Sequence, residues 1–311
     1  MYEFITLSLL NGILYGMLIF MMASGLTLIF SLMGILNLAH ASFYMIGAYL
    51  GYSISVRFGF LAALVVAPIG VGVLGAAVER FGLRQLRERG HVAELLFTFG
   101  LALVIEELVA MVWGRVPVDY RVPAAFDFVA FTIFGTTIPA YRLVMLVVSA
   151  VIFGLLLLIA RKTRVGLIVQ ASLTHADMVQ VLGHNVPWVF TSVFGVGTAL
   201  AGLAGALAGP ILVTQPAMAG LVGPIIFVVI VIGGLGSLTG AFIASIAVGL
   251  IQTFSAGLNV SLSQLTAGIL PGQDNQIGAV TLGQIATVIP FLLLVLTLVV
   301  KPNGLMGQRE R

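Results

Sequence analysis

Cysteine is absent from this sequence of 311 residues, and charged side chains make up only 8% of it. The absence of thiols excludes disulfides and thiolate metal sites. A soluble domain usually carries about 25% charged residues, so this chain has too few charges to cover a surface that faces water. The net charge of +3 gives no support to nucleic-acid binding. These shortages indicate a protein whose surrounding solvent is lipid, and the mean hydropathy of +1.17 agrees.

Sequence motifs of catalysis are also missing. The chain contains no GxxxxGK[ST] sequence, so it cannot hold ATP through a P-loop. It contains no HExxH and no GxSxG sequence, and its four histidines are scattered. Catalysis by this chain therefore has no positive support, and we predict neither a metal site nor a bound cofactor.

Long apolar runs are what the sequence does contain. A membrane-spanning helix needs roughly 20 apolar residues, and runs such as 61–78 and 290–300 are apolar on every face, which favours helices over a barrel. We predict an all-α fold, a polytopic membrane helical bundle of about eight transmembrane helices with broken or re-entrant segments. One transmembrane domain is expected over 1–311. The apolar segments lie at 5–31, 38–56, 60–78, 93–113, 141–160, 186–208, 223–235, 237–257 and 284–300.

Two interruptions between these apolar segments predict breaks inside the membrane. The first two segments are interrupted at Gly34–His40, and another interruption falls at Gly233–Gly240. Segment 223–235 is short for a full span and could be a half-helix paired with 237–257.

Basic residues predict which connections face the cytoplasm. Lys and Arg gather at 79–91, at 161–185 and after residue 300, and cytoplasmic loops are enriched in these residues. We therefore predict a cytoplasmic C-terminus, with the connections 114–140 and 258–283 on the outer face.

Glycine pairs four residues apart predict close helix packing. In lipid, small residues let helix backbones approach and supply the packing energy. The alternative is that a glycine lines a pathway or acts as a hinge. The pairs are Gly47 and Gly51, Gly205 and Gly209, and Gly236 and Gly240.

Polar side chains within the apolar segments are candidates for a substrate pathway, because they are costly in a membrane. Asn37 and His40 lie at the first break, where they could line a cavity or cap helix ends. Glu106 and Glu107 lie inside segment 93–113. One of them could be protonated, pair with an arginine or amide of another helix, line the pathway, or bind a coupling ion in a transporter that works alone. The predicted pathway residues are Asn37, His40, Ser42, Phe43, Glu106 and Glu107.

The polar loop at 161–185 carries a candidate surface for a partner protein. We predict a short helix from about Leu167 to Leu182, ended by Gly183 and followed by Pro187 at the start of the next span. A plain surface helix is the alternative. The helix would bury Leu173, Val181 and Leu182, and would present Gln170, His175, Asp177 and Gln180 to a partner.

Four stretches give this chain a specific resemblance. It resembles the permease subunits of the branched-chain amino acid ABC uptake family, and among them the H-type subunit, because the chain is compact and has no long polar N-terminal extension. The matching stretches are 11–49, which includes the motif NLAH, then 181–186, 197–209 and 231–245.

The resemblance implies a function and a set of partners. The chain would be the permease subunit of an importer for branched-chain or related amino acids, in a bacterial inner membrane. Relatives also import urea, short amides and aromatic acids. The expected partners are a second permease of the M-type, two ABC ATPases that bind ATP and Mg²⁺, and a periplasmic solute-binding protein. The implied coupling loop, which would dock on an ATPase, includes Ala171, Leu173, Asp177, Val181, Leu182 and Gly183.

Overall fold

The computed structural model describes residues 2–133, 136–174, 176–258, 261 and 281–307. Long apolar helices dominate it, and the polytopic helical bundle predicted from sequence is confirmed. The longer helices are α1 (Tyr2–Met33), α2 (His40–Phe58), α3 (Phe60–Val78), α5 (His91–Trp113), α6 (Ala140–Lys162), α9 (Val186–Ala208), α10 (Met218–Gly233), α11 (Leu238–Gly257) and α13 (Ile289–Val300). The shorter helices are α4 (Arg84–Leu86), α7 (Arg164–Thr174), α8 (Ala176–Val181) and α12 (Leu282–Ile285).

Six of the described helices are long and apolar enough to cross a membrane. They are α1, α3 continued through α4, α5, α6, α9 and α11. The helix α2 is as long as α3 but less apolar, and α10 and α13 are shorter. The eight spans predicted from sequence are therefore an approximate count.

The first predicted break is a chain reversal within the bundle. Gly34 has a φ of +65°, which ends α1 and favours glycine. The chain then returns toward the bundle centre, where His40 Nε2 lies 3.1 Å from the carbonyl oxygen of Met22. Met22 lies eleven residues before the end of α1, about 16 Å along the axis. The helix α2 therefore starts well inside the bundle.

Two other connections differ from the sequence prediction. The basic segment after α3 is helical instead of a loop: π-helical over Glu79–Leu83, then α4, then a 3₁₀ turn over Arg87–Arg89. The predicted half-helix at 223–235 belongs to α10, which begins five residues earlier at Met218. Pro224 lies inside α10, and Gly220, four residues before it, has open space where a side chain would point.

Glycine allows the central helices to touch through their backbones. A side chain at Gly47 would overlap the backbone of Gly202, so α2 and α9 are in direct contact there. Gly205 meets the backbone of Tyr44 in the same way. Aromatic rings fill the space between α1, α6 and α11, where Phe153 stacks on Phe242 and Phe20 meets both rings edge-on.

The connection between α5 and α6 contains a small antiparallel hairpin, β1 (Val129–Ile133) and β2 (Thr136–Pro139), which the all-α prediction did not include. This connection is fastened to the far end of α9. The Tyr120 hydroxyl donates to the Ala206 carbonyl at 3.1 Å, and the Tyr141 hydroxyl donates to the Leu207 carbonyl at 2.8 Å. The other connection predicted to face outward, 258–283, lies mainly outside the described residues.

The segment after α13 folds back onto the end of α10. Leu305 N–H donates to the Ile232 carbonyl at 2.8 Å, and Met306 N–H donates to the Gly233 carbonyl at 3.0 Å. Gly304 and Gly234 are in close backbone contact, and both have positive φ values. Carbonyls that a helix end would leave unpaired are thereby satisfied.

Candidate translocation and coupling site

A large cavity lies at the end of the bundle that carries the loop 161–185. Its volume is about 1540 Å³, and it is bounded by α1, α6, α7, α9, the start of α11 and the segment after α13. The basic residue Arg161 is part of its wall. Most of the lining is aliphatic, and the polar lining residues include Thr27, Ser31, Gln170, Asn185, Ser192 and Thr239.

The cavity lining contains none of the six pathway residues predicted from sequence. Asn37, His40, Ser42 and Phe43 are buried between helices, and His40 is only 1% exposed. Gly25 faces His40, whereas Thr27 faces the cavity. These two residues lie about 200° apart around α1. The helix α1 therefore separates the buried polar residues from the cavity, and their pathway role stays a prediction.

The polar residues at the break are only partly satisfied. The Asn37 carboxamide oxygen accepts from the Ala39 N–H at 3.0 Å, so this side chain stabilises the turn before α2. Among the described residues, Asn37 Nδ2 and His40 Nδ1 have no hydrogen-bond partner. The Asn37 side chain does not cap α2, since no side chain caps the start of this helix, and its role in lining a cavity stays a prediction.

A small cleft of about 130 Å³ lies between the break and the start of α5. Leu36 lines one side of it and Glu94 the other, and the Glu94 carboxylate lies 3.3 Å from His91 Nδ1. One turn further along α5, the Thr98 hydroxyl accepts from the Leu38 N–H at 3.3 Å. Sequence analysis did not single out Glu94 or Thr98, although both are polar residues in an apolar segment.

The structure does not bring Glu106 and Glu107 to the other predicted pathway residues. Glu107 is exposed on α5 and forms an ion pair with Arg115 at 2.5 Å. Glu106 is half-buried on the adjacent side of the helix. The partner of Glu107 follows the end of its own helix, so the predicted pairing with an arginine or amide of another helix is not the one observed.

The predicted coupling loop is helical over α7 and α8, on both sides of residue 175. Val181 and Leu182 were predicted to be buried but are 86% and 77% exposed. Among the described residues of the loop, Gly166, Ser172 and Val179 are buried. His175 lies outside the described residues, and Leu173 belongs to α7 but its side chain is not described.

The remaining loop residues form an exposed tip. Ala171 and Asp177 are exposed. Gly183 has a φ of +88°, a conformation that favours glycine and ends the helical segment. The Asn185 side chain then accepts from the Trp188 N–H at 3.1 Å and caps α9. An exposed apolar tip at Val181 and Leu182 is thereby set on a short, capped connection to α9.

The glycine pairs occupy different settings. Gly51 lies against Ala206, and Gly209 lies against the Tyr120 ring. Gly240 meets the Gly233 backbone, whereas Gly236 lies in the turn between α10 and α11 with a φ of +80° instead of inside a helix.

In the described part of the chain, no group of three or more His, Asp or Glu side chains could hold a metal ion.

Comparison with known proteins identifies the family. The family model "Branched-chain amino acid transport system / permease component" matches residues 8–299. The chain belongs to this family. No solved structure matches.

Relatives within the family match along nearly their whole length. The high-affinity branched-chain amino acid transport system permease protein BraD of Pseudomonas aeruginosa is 28% identical, over 97% of this chain and 95% of the relative. The corresponding permease LivH of Escherichia coli is 26% identical, over 96% of this chain and 94% of the relative. A probable LivH of Methanocaldococcus jannaschii is also 26% identical, over 96% and 91%. The family resemblance stated from sequence is confirmed.

Proposed function

We propose that this chain is the permease subunit of an ABC importer that takes up branched-chain or related amino acids. ATP and Mg²⁺ bind to two separate ATPase subunits. A second permease, expected to be of the M-type, completes the membrane part, and a periplasmic binding protein delivers the solute. The relatives named above, which are called branched-chain amino acid permeases, support the substrate class.

The observation that carries this proposal is the exposed tip of the loop 161–185. Val181 and Leu182 are large apolar side chains at the end of the bundle where basic residues gather. Exposed apolar residues beside polar ones are typical of a protein interaction site. The sequence has no P-loop, so an ATP-driven importer would need a separate protein to bind ATP, and this tip is suited to contact with that protein.

The proposal also gives the direction of the chain in the membrane. The basic segments 79–91 and 161–185 face the cytoplasm of a bacterium, with the C-terminus on the same side. The cavity of about 1540 Å³ then opens toward the cytoplasm, where solute leaves. Its largely aliphatic lining suits the passage of an aliphatic amino acid.

The experiment is to co-purify the ATPase with variants of the exposed tip. We expect Val181→Glu to reduce ATPase recovery about tenfold or more, since a charge replaces an apolar contact at the interface. The matched control is Val116→Glu, because Val116 is 75% exposed in the connection on the far side. ATPase recovery unchanged in Val181→Glu, or leucine uptake by the chain without nucleotide, would contradict the proposal.

A further inference from the structure

The helix α3 ends in a widened turn that brings two charged residues together. In an α-helix, residues five positions apart point about 140° away from each other. In the π-helical turn Glu79–Leu83, the Arg84 N–H instead donates to the Glu79 carbonyl. This five-residue spacing aligns the two side chains, and Arg84 Nη2 lies 3.2 Å from Glu79 Oε2. The widened turn therefore builds an ion pair that a regular helix would not make.

This ion pair is joined to the first two turns of α9. The Thr191 hydroxyl donates to Glu79 Oε2 at 2.5 Å and accepts from Arg84 Nη2 at 2.5 Å. The same guanidinium nitrogen donates to the Pro187 carbonyl at 2.8 Å. We call Glu79, Arg84 and Thr191 the inner clamp. Glu79 and Arg84 lie in the helical continuation of α3 and Thr191 lies in α9, so the clamp joins these two elements.

A second arginine adds to the connection. The Arg87 guanidinium lies over the Phe190 ring at 4.4 Å from the ring centre and is 4.0 Å from Glu79 Oε1. The Glu79 side chain is fully buried. A buried carboxylate is costly without its charged partners, so the pairing is maintained when neighbouring parts move.

The inner clamp lies directly behind the coupling loop. Pro187 and Thr191, which both contact Arg84, lie just after the Gly183 turn and the Asn185 cap. Further along, α3 and α9 touch through small residues, with Gly75 against Thr198 and Gly72 against Ala199. A displacement of the loop therefore reaches the start of α9 first and can pass to α3 through the clamp.

We propose that the inner clamp transmits movement of the coupling loop from α9 to α3. Glu79, Arg84 and Thr191 are positioning residues, since they act through the helices and touch neither nucleotide nor solute. The proposal rests on the proposed function, because it requires an ATPase that moves the loop. It adds that the movement is carried by a specific set of side chains.

The test uses the complete transporter in proteoliposomes: this chain with its ATPases, the second permease and the binding protein. Leucine uptake and the stimulation of ATP hydrolysis by the binding protein are measured for Thr191→Val and Glu79→Gln. We expect both quantities to fall about tenfold, as expected for the loss of one hydrogen bond to a charged group. ATPase recovery and unstimulated hydrolysis should stay within about twofold of the wild type.

Two control variants separate transmission from packing. Thr191→Ser keeps the hydroxyl and should retain uptake. Thr198→Val makes the same change two turns along α9, where the hydroxyl donates to the Phe194 and Gly195 carbonyls of its own helix. This variant should also retain uptake and stimulation.

The outcomes distinguish the two proposals. A wild-type complex without ATP-dependent uptake would contradict the proposed function itself. If the wild type works and Thr191→Val keeps full stimulation, the inner clamp does not transmit movement. If Thr191→Val loses ATPase recovery or folded yield as steeply as uptake, the clamp serves folding alone and the inference is wrong.

Discussion

The two ends of α9 are held by different kinds of contact. Toward its C-terminal end, α9 touches α2 through backbone at Gly202 and Gly205, and two tyrosine hydroxyls bind its last carbonyls. At its N-terminal end, α9 is held by the inner clamp, in which Arg84 is partly exposed to solvent. These contacts lead us to expect that the C-terminal end of α9, the outer end in the proposed orientation, stays fixed. Its N-terminal end, the inner end, should move together with the clamp.

The largest expected effect comes from filling the glycine contact at the fixed end. We expect Gly47→Ala to destabilise the protein by about 3 kcal/mol or more, because its methyl group would overlap the Gly202 backbone. Unfolding in an SDS titration measures this change. Gly100→Ala is the control, since Gly100 has open space around it, and its helix should gain about 1 kcal/mol. Equal changes in the free energy of unfolding for Gly47→Ala and Gly100→Ala would contradict the distinction between packed and open glycines.

A substitution at the inner end of α9 should have the next largest effect on the free energy of unfolding. Glu79→Ala leaves Arg84 without its carboxylate and should destabilise the protein by about 2 kcal/mol. The same SDS titration measures it, with Glu107→Ala as the control, because the Glu107 ion pair is exposed. A larger loss in Glu107→Ala than in Glu79→Ala would mean that burial does not set the strength of these pairs.

A single hydrogen bond at the outer end should have a smaller effect. Tyr141→Phe removes the donor to the Leu207 carbonyl and should cost about 1 kcal/mol. Because this end is taken to be fixed throughout transport, stimulation of ATP hydrolysis by the binding protein should be unchanged. Loss of stimulation with intact stability would show that the outer end also moves.

The smallest effect is expected in the exposed connection beside the outer end. The Arg121 guanidinium donates to the Asp119 carboxylate and lowers its pKa below the ordinary 3.8. A lowered pKa in the folded state adds stability that is complete above pH 3.8 and is lost as the pH falls below it. Since this pair is fully exposed, Asp119→Asn should leave the melting temperature at pH 7 unchanged. A clear decrease would show that the connection is more tightly held than its exposure indicates.

Much of the helical framework could be predicted because lipid imposes a simple rule on sequence. Apolar runs near 20 residues predict spans, and glycine followed by Asn37 and His40 predicted the first break. The start of α10 was missed because the apolar run was placed at 223–235, whereas the helix begins at Met218 and contains Pro224. The exposure of Val181 and Leu182 was missed because an exposed apolar side chain and a buried one give the same signal in the sequence.

The inner clamp could not be predicted, because its residues are far apart in the chain. Glu79 and Thr191 are separated by 112 positions, and their contact depends on the widened turn at the end of α3. A carboxylate at the end of an apolar run was nevertheless a signal, since a charge at that depth needs a partner. In the same way, Thr27 and Ser192 line the cavity only because α1 and α9 converge there.

The attachment of Leu305 and Met306 to the end of α10 has a consequence for biosynthesis. A membrane protein emerges from the ribosome in chain order, and these two residues are made after all the described helices. The carbonyls of Ile232 and Gly233 therefore lack these two hydrogen-bond donors while α11 and α13 are inserted. We expect nascent chains stalled before residue 305 to remain sensitive to quality-control proteases. Chains that extend past residue 307 can form both hydrogen bonds to the end of α10 and should become resistant.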